Sequence, residues 1–374
     1  MLKYTIFRQI ILSVQVSYKK QFLIFLLLGC IFLIVLETGV RTINHVAPYC
    51  MFMPSEVFDD VDIETQRDIC RSNDNIKWTN FPIAHVPNQK LDVININSDG
   101  FRGPELKQYV QNESIRIFLV GGSTVLSSSS TSDSTTITGF LQKTFNDHGY
   151  DNVEIINAGH GGAISYSELN LIKNRIKNLN PDIVIVYNGW NDINRPLHAY
   201  ESDSTSSDLS TKSIRDIIKN DFSKTPQLLY KYYNLWKYDQ DNFVREFDDS
   251  DINEKATLFK SHISEMCNVA KNSDFKLIHI LQPIVGSGSK ILTEEELRHV
   301  ETYDTKNVLL NYELYAMKQK ELQSQCDQIF DFRNIFDSTS QTLYTDACHV
   351  GDLGAKIISD EMFEILLPLV NTQK

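Results

Sequence analysis

Apolar residues follow two arrangements along this chain. Residues 21–36 (QFLIFLLLGCIFLIVL) form one uncharged, almost wholly apolar run. From residue 115 onward, short apolar runs alternate with stretches of helical periodicity. Residues 115–120 (IRIFLV), 153–156 (VEII), 183–187 (IVIVY) and 276–281 (KLIHIL) read as short buried strands. Residues 137–145, 165–179, 256–270 and 353–367 carry apolar positions at helical spacing. Alternation of this kind predicts a parallel sheet covered by helices on both faces. Between the two regimes, residues 43–113 are polar and irregular, with Pro48, Pro54, Pro82 and Pro87. Residues 201–213 (ESDSTSSDLSTKS) read as an insertion or loop. The aromatic-rich stretch 228–238 (LLYKYYNLWKY) reads as a helix packing its Leu and Tyr face, with a sugar-stacking platform as the alternative. No internal repeat is visible.

Extended to Val40, the N-terminal run has 20 residues. As a helix it spans roughly 30 Å, about one hydrocarbon core. Lys3, Arg8, Lys19 and Lys20 precede it and acidic residues dominate soon after Arg41, so the positive-inside rule puts residues 1–20 in the cytoplasm. Everything after about residue 42 is then expected outside. A cleaved signal peptide needs a small-x-small site, which Leu36-Glu37-Thr38-Gly39-Val40 does not offer. The string Leu27-Leu28-Gly29-Cys30 is faintly like a lipoprotein box, but residues 31–36 stay apolar where a mature lipoprotein turns polar. The expectation is therefore an uncleaved, single-pass signal anchor in contact with lipid over residues 21–40. The division that follows is a cytoplasmic tail (1–20), the anchor (21–40), a stalk and N-terminal extension (41–113) and a catalytic domain (114–374), with 198–250 as an insertion.

At 374 residues the chain accommodates one sizeable α/β domain plus accessory parts. A net charge of −12 with no Lys/Arg-rich block argues against a nucleic-acid partner. Oligomeric state is not legible. The six cysteines show no C-x-x-C pair and no zinc spacing. Outside the cytoplasm, Cys50–Cys70 and Cys326–Cys348 are candidate disulfides, against buried thiols as the alternative.

Four segments sit where a strand is expected to end, the place where open α/β sheets bind ligands. Gly121-Gly122-Ser123-Thr124 permits a tight turn that leaves the Ser123 hydroxyl at the start of a helix, with its backbone N–H turned toward a developing oxyanion. Val125 stands where the nucleophile elbow of α/β-hydrolases needs Gly, and no Lys follows to make a phosphate loop. Asn157-Ala158-Gly159-His160-Gly161-Gly162 offers backbone N–H groups to a ligand; His160 reads as a bystander or a substrate contact. In Gly189-Trp190-Asn191-Asp192, the Asn191 amide can donate to an oxyanion, while Asp192 can cap the next turn. In Asp346-Ala347-Cys348-His349, the carboxylate can fold back to orient the imidazole, the second half of a Ser-His-Asp triad.

In this order, GGS, N-x-G-x-x-G, G-x-N-D and D-x-x-H resemble the four blocks of the SGNH/GDSL hydrolase family, over about residues 116–367. The resemblance implies a flavodoxin-like three-layer α/β/α fold and a serine esterase needing neither metal nor organic cofactor. It implies Ser123 as nucleophile, His349 as general base and Asp346 as its orienting partner. The oxyanion hole would be Ser123 N–H, Gly162 N–H and the Asn191 side chain. The family's usual Gly-Asp-Ser reads Gly121-Gly122-Ser123 here, and that Asp is not a triad member. The G-G-S-T string and the upstream Asn97-Ser98-Asp99-Gly100-Phe101-Arg102-Gly103 are similar to a membrane-anchored branch that acts on surface polysaccharides. The implied substrate is an acyl ester, O-acetyl above all, on a small molecule or on a surface or extracellular glycan. Resolution of the acyl-enzyme by a sugar hydroxyl would instead make an acyltransferase. A catalytically silent glycan-binding module is the non-enzyme alternative. A Gly-bracketed turn docking Phe101 is the plainest role for residues 97–103.

Overall fold

The computed structural model describes residues 16–46, 53–79, 85–111, 113–197, 225, 251–302 and 305–372. The expected insertion at 198–250 with its aromatic stretch, apart from Thr225, and Cys50 of the expected Cys50–Cys70 bridge lie outside the described residues. Helix α1 (Tyr18–Val46) opens the described chain. Its segment Tyr18–Ile43 is long and apolar enough to cross a membrane, and its side chains have almost no protein cover, with Phe25 72% exposed. Contiguous apolar surface of this extent is unfavourable in water by roughly 25 cal/mol per Å². The helix outruns the expected 21–40 because its polar ends also take helical form. Past the apolar run, the Arg41 guanidinium pairs with Glu37 one turn back at 2.8 Å.

The extension, read from its polarity as irregular, contains helix α2 (Ile63–Asn75) and a small antiparallel hairpin of β1 (Gln89–Lys90) and β2 (Asn95–Ile96). Asp62 caps α2 by accepting from the N–H groups of Glu64 and Thr65. Phe58, Ile69, Ile76, Ile94 and Ile96 form a small core of their own with Leu126 from the main body. Such a cluster is scattered over forty residues of sequence and leaves no periodic trace.

The main body is a five-stranded parallel sheet of β3 (Ile115–Gly121), β4 (Val153–Gly159), β5 (Ile183–Asn188), β6 (Lys276–Leu281) and β7 (Gln328–Asp331), in the order β4-β3-β5-β6-β7. Helices α3 (Ser123–Leu126), α4 (Ile137–Asp147), α5 (Ser165–Asn174), α6 (Trp190–Asn194), α7 (Ile252–Asn272), α8 (Glu294–Thr302), α9 (Thr305–Lys320) and α10 (Asp352–Asn371) connect or follow the strands. Successive strand residues point to opposite faces. Phe118 and Val120 accordingly join one core with α5, α7 and α9, and Ile117 and Leu119 join another with α4 and α10. This is the expected three-layer α/β/α architecture. Strand β7 leaves little mark in the sequence because its four residues are partly or fully exposed and lie at the sheet edge.

One expected disulfide is corrected. Cys326 is bonded to Cys267, with a Cα–Cα distance of 5.1 Å, and Cys348 is a buried thiol. Cys267 and Cys326 precede β6 and β7 and so lie toward the amino ends of those strands. Cys348 belongs to the loops at the carboxyl ends, about a strand length or ~20 Å away.

Residues 97–103 do more than dock Phe101. Asn97 Oδ1 accepts from the N–H groups of Asp99 and Phe101, closing the turn, and the buried Phe101 ring meets Phe118 edge-on at 5.6 Å. The next side chain, Arg102, is only 3% exposed. It donates to Leu126 O (2.7 Å), Ser127 O (2.9 Å) and Val93 O (2.8 Å), and pairs with Asp133 at 2.8 Å. The first two carbonyls end α3, the helix that begins at Ser123. Removing one partner of a buried charge network typically costs about 3–5 kcal/mol. We expect Arg102→Met to lose about that much stability in urea unfolding; a loss under about 1 kcal/mol would mean the carbonyls find other donors.

Candidate active site

Counting the main-sheet strands in chain order, the arrangement is 2-1-3-4-5, which places a topological switch point between β3 and β5. Ligands bind outside the carboxyl ends of strands at such a point. Ser123 follows β3 by two residues and Asn191 follows β5 by three. Ser123 is the first residue of α3, whose last turn closes on Ser127 in left-handed geometry (φ 58°). At the neighbouring Gly122 a Cβ would stand 2.5 Å from Asn191 Nδ2, so a side chain there would have to displace the Asn191 amide. That approach gives a physical reason for glycine where the resemblance implies Asp.

The D-x-x-H segment folds back on itself through one carboxylate. Asp346 Oδ1 accepts from the N–H of Cys348 (2.9 Å) and of His349 (2.8 Å), and Oδ2 accepts from His349 Nδ1 at 2.6 Å. A spacing of three suits this turn, in which a short acidic side chain caps the backbone two and three residues on. With Nδ1 protonated toward the carboxylate, Nε2 is the acceptor, and Ser123 Oγ donates to it at 2.6 Å. Thr345 N–H donates to His349 O, and the hydroxyls of Ser129 and Thr345 meet at 3.2 Å, tying this turn to the loop after α3. Burial alone would raise the Asp346 carboxyl, but the His349 imidazole and the two backbone N–H groups outweigh it and hold the group at about 2. Burial, with the Asp346 charge beside it, pushes the Cys348 thiol well up.

Asp346, Cys348 and His349 bring their donor atoms within 4.8 Å of one another, a spacing that a metal ion also uses. Both carboxylate oxygens and Nδ1 are already committed to one another and to backbone, and the thiol is held neutral. The chemistry of the set is that of an oriented imidazole.

On the other side of Ser123 lies the loop after β4. Asn157 anchors it, donating from Nδ2 to Val125 O (2.7 Å) and accepting at Oδ1 from Gly159 N–H. His160 N–H donates to Gly121 O, and Gly162 takes φ +74°, a conformation that suits glycine. The Arg195 guanidinium stands beside Gly162, 2.7 Å from where a Cβ would be. Asn191 Nδ2 donates to Ala163 O at 2.8 Å, so the amide and the Gly162 turn are braced against each other. His160 itself packs its ring with Trp78 and His85 from the extension.

Asp192 reaches beyond its own turn. It is fully buried and accepts at Oδ1 from Ser165 N–H (3.0 Å) at the start of α5. Near it, buried Glu168 accepts from Asn188 Nδ2, and Asn188 Oδ1 accepts from His279 Nε2 at 2.8 Å. Burial pushes both carboxyls up, and the Asp192 charge raises Glu168 further. The structure thus adds Trp78, His85, Glu168 and Arg195 to the surroundings of the expected residues; none of the four lies in a motif.

The depressed Asp346 carboxyl makes stability pH-dependent. A carboxyl held below its ordinary 3.8 contributes stability that is present above that value and lost as pH falls toward about 2. The contribution is on the order of 2 kcal/mol. The stability advantage of wild type over Asp346→Asn in urea unfolding should be largest near neutral pH and shrink through that acid window. A constant difference across it would contradict the assignment of the low value to this carboxyl.

By sequence, the chain matches no protein-family profile and no curated protein. By structure it is similar to an acetyl xylan esterase, AlAXEase, at 15% identity and a TM-score of 0.39, over 67% of this chain and 100% of that one. TesA is similar at 13% identity and a TM-score of 0.42, over 68% and 99% of the two chains. The psychrotrophic esterase EstA from Pseudoalteromonas sp. is similar at 11% identity and a TM-score of 0.41, over 68% and 98%.

Proposed function

We propose that this chain is a membrane-anchored serine esterase of the SGNH/GDSL type, which removes acyl groups, O-acetyl foremost, from surface or extracellular glycans. The observation that carries the reading is the unbroken hydrogen-bond chain from Ser123 Oγ through His349 to Asp346, set at the switch point of the sheet. Ser123 Oγ attacks the ester carbonyl while His349 Nε2 takes its proton, and Asp346 stabilises the imidazolium without taking a proton itself. The tetrahedral oxyanion is received by the N–H groups of Ser123 and Gly162 and by the Asn191 amide, which has a second hydrogen beyond the one given to Ala163 O. Arg195 adds positive charge beside Gly162. His349 then protonates the departing alcohol and activates water to release the acid. The similarity of residues 97–103 and 121–124 to the surface-polysaccharide branch supports a glycan as the alcohol.

The same reading takes residues 1–20 as cytoplasmic, residues 21–40 as the anchor and the catalytic domain as extracytoplasmic, on the positive-inside argument. It takes the extension as a brace for the catalytic domain, since Arg102 holds the end of α3.

A fluorophosphonate should label the wild-type protein and leave Ser123→Ala unlabelled; equal labelling of both would overturn the nucleophile. Asn191→Ala should lower kcat by ~100- to 1,000-fold with KM within a few-fold. The lost bond to Ala163 O should also lower stability by about 1 kcal/mol. A destabilised Asn191→Ala variant with unchanged kcat would refute the oxyanion role. A reporter at Lys374 should be active only in its extracytoplasmic form, and cytoplasmic activity would reverse the orientation.

A further inference from the structure

Trp78 is a large apolar side chain left 41% exposed against the loop that carries His160 and Gly161. An exposed apolar residue alone is ordinary. This one is held in place. Gln89 accepts from Lys77 N–H (2.7 Å) and donates back to Lys77 O (3.0 Å), and Trp78 forms a backbone bridge with His85. The indole lies 4.7 Å from the His85 ring and meets His160 nearly edge-on at 4.9 Å. Burial drives both imidazoles to low values, about 3 for His85 and about 4 for His160, so the cluster is uncharged near neutral pH.

The indole also reaches the loop that carries Gly162. A Cβ on Gly161 would stand 2.9 Å from Trp78 Cη2, so the six-membered edge of the ring abuts the residue next to the proposed oxyanion donor. Only a residue without a side chain lets the ring come this close. The extension therefore delivers a rigid, neutral, half-exposed aromatic surface to the rim of the site. A flat ring with an apolar face suits the C–H face of a pyranose, whose hydroxyls stay in water at the ring edge.

We propose that Trp78 is the stacking platform for the pyranose ring whose ester the site cleaves. The proposal rests on the esterase reading above and names the part of the substrate that the extension recognises. Binding of a remote, non-reacting part of a substrate raises kcat/KM for substrates that have that part and is silent for those that lack it.

The test uses the full-length protein in detergent and two probes, p-nitrophenyl acetate and a per-O-acetylated methyl hexopyranoside, on wild type, Trp78→Ala, Trp78→Leu and Trp78→Phe. We expect Trp78→Ala and Trp78→Leu to lose ~10- to 100-fold in kcat/KM on the sugar ester and to stay within about 3-fold on the aryl ester. Trp78→Phe should keep most of the sugar-ester activity. If Trp78→Ala does not fold, the contrast of Leu with Phe decides, since Leu fills space without a flat ring. Equal loss on both probes, or no loss on either, would overturn the platform. Absence of Ser123-dependent cleavage of both probes by wild type would instead overturn the esterase reading itself.

Discussion

Everything at the site depends on β3 being hydrogen-bonded on both edges. Its last residue, Gly121, is level with Gly159 at the end of β4 and with Tyr187 near the end of β5. Three loops must therefore leave the sheet at one height and side by side. The chain reverses direction across the sheet at this point, so the helices that follow β3 and β5 pack on opposite faces and leave a gap between the two strand ends. Ser123, Gly162 and Asn191 occupy that gap because strand register allows them nowhere else. The fourth loop, with Asp346 and His349, follows β7 and returns across the top of the sheet to bond with Ser123 and Ser129.

Short connections of this kind leave backbone groups that need partners. Much of the polar chemistry around the site serves that need. The α3 helix is four residues long and cannot satisfy its own carboxyl end. Arg102, arriving from the extension, supplies donors to Leu126 O and Ser127 O. Asn157 does the same for Val125 O. Both anchor the serine turn to elements more distant in sequence, and Arg102 is fixed in turn by Asp133.

Beneath Asn191 the same logic runs through buried side chains. Asp192 holds the first N–H of α5, Asn188 links Glu168 to His279, and Gln319 hydrogen-bonds the other His279 nitrogen. A connected set of this sort rigidifies the strand end above it, and any member left unpaired would cost far more than its bond returns. Asn191 thus stands on a braced strand end.

Local spacing along the chain was enough for part of this architecture. Short continuous apolar runs marked four of the five strands of the main sheet, and helical periodicity marked α4, α5, α7 and α10 but not α9. The spacing of three between Asp346 and His349 suffices for a turn that orients an imidazole. The uncharged run at 21–36 marked the helix that is able to cross a membrane. Residue type and distance along the chain set all of these. Which distant residues meet emerges only in the folded chain. Cys267 rather than Cys348 faces Cys326 because both precede strands at the amino edge of the sheet. Trp78 and His85 reach His160 only because the extension folds onto the β4 loop, and Arg102 finds the end of α3 in the same way. Gly122 is explained only once Asn191 is seen in the space a side chain would take. Such meetings are set by packing across the sheet, and packing leaves no period in the sequence.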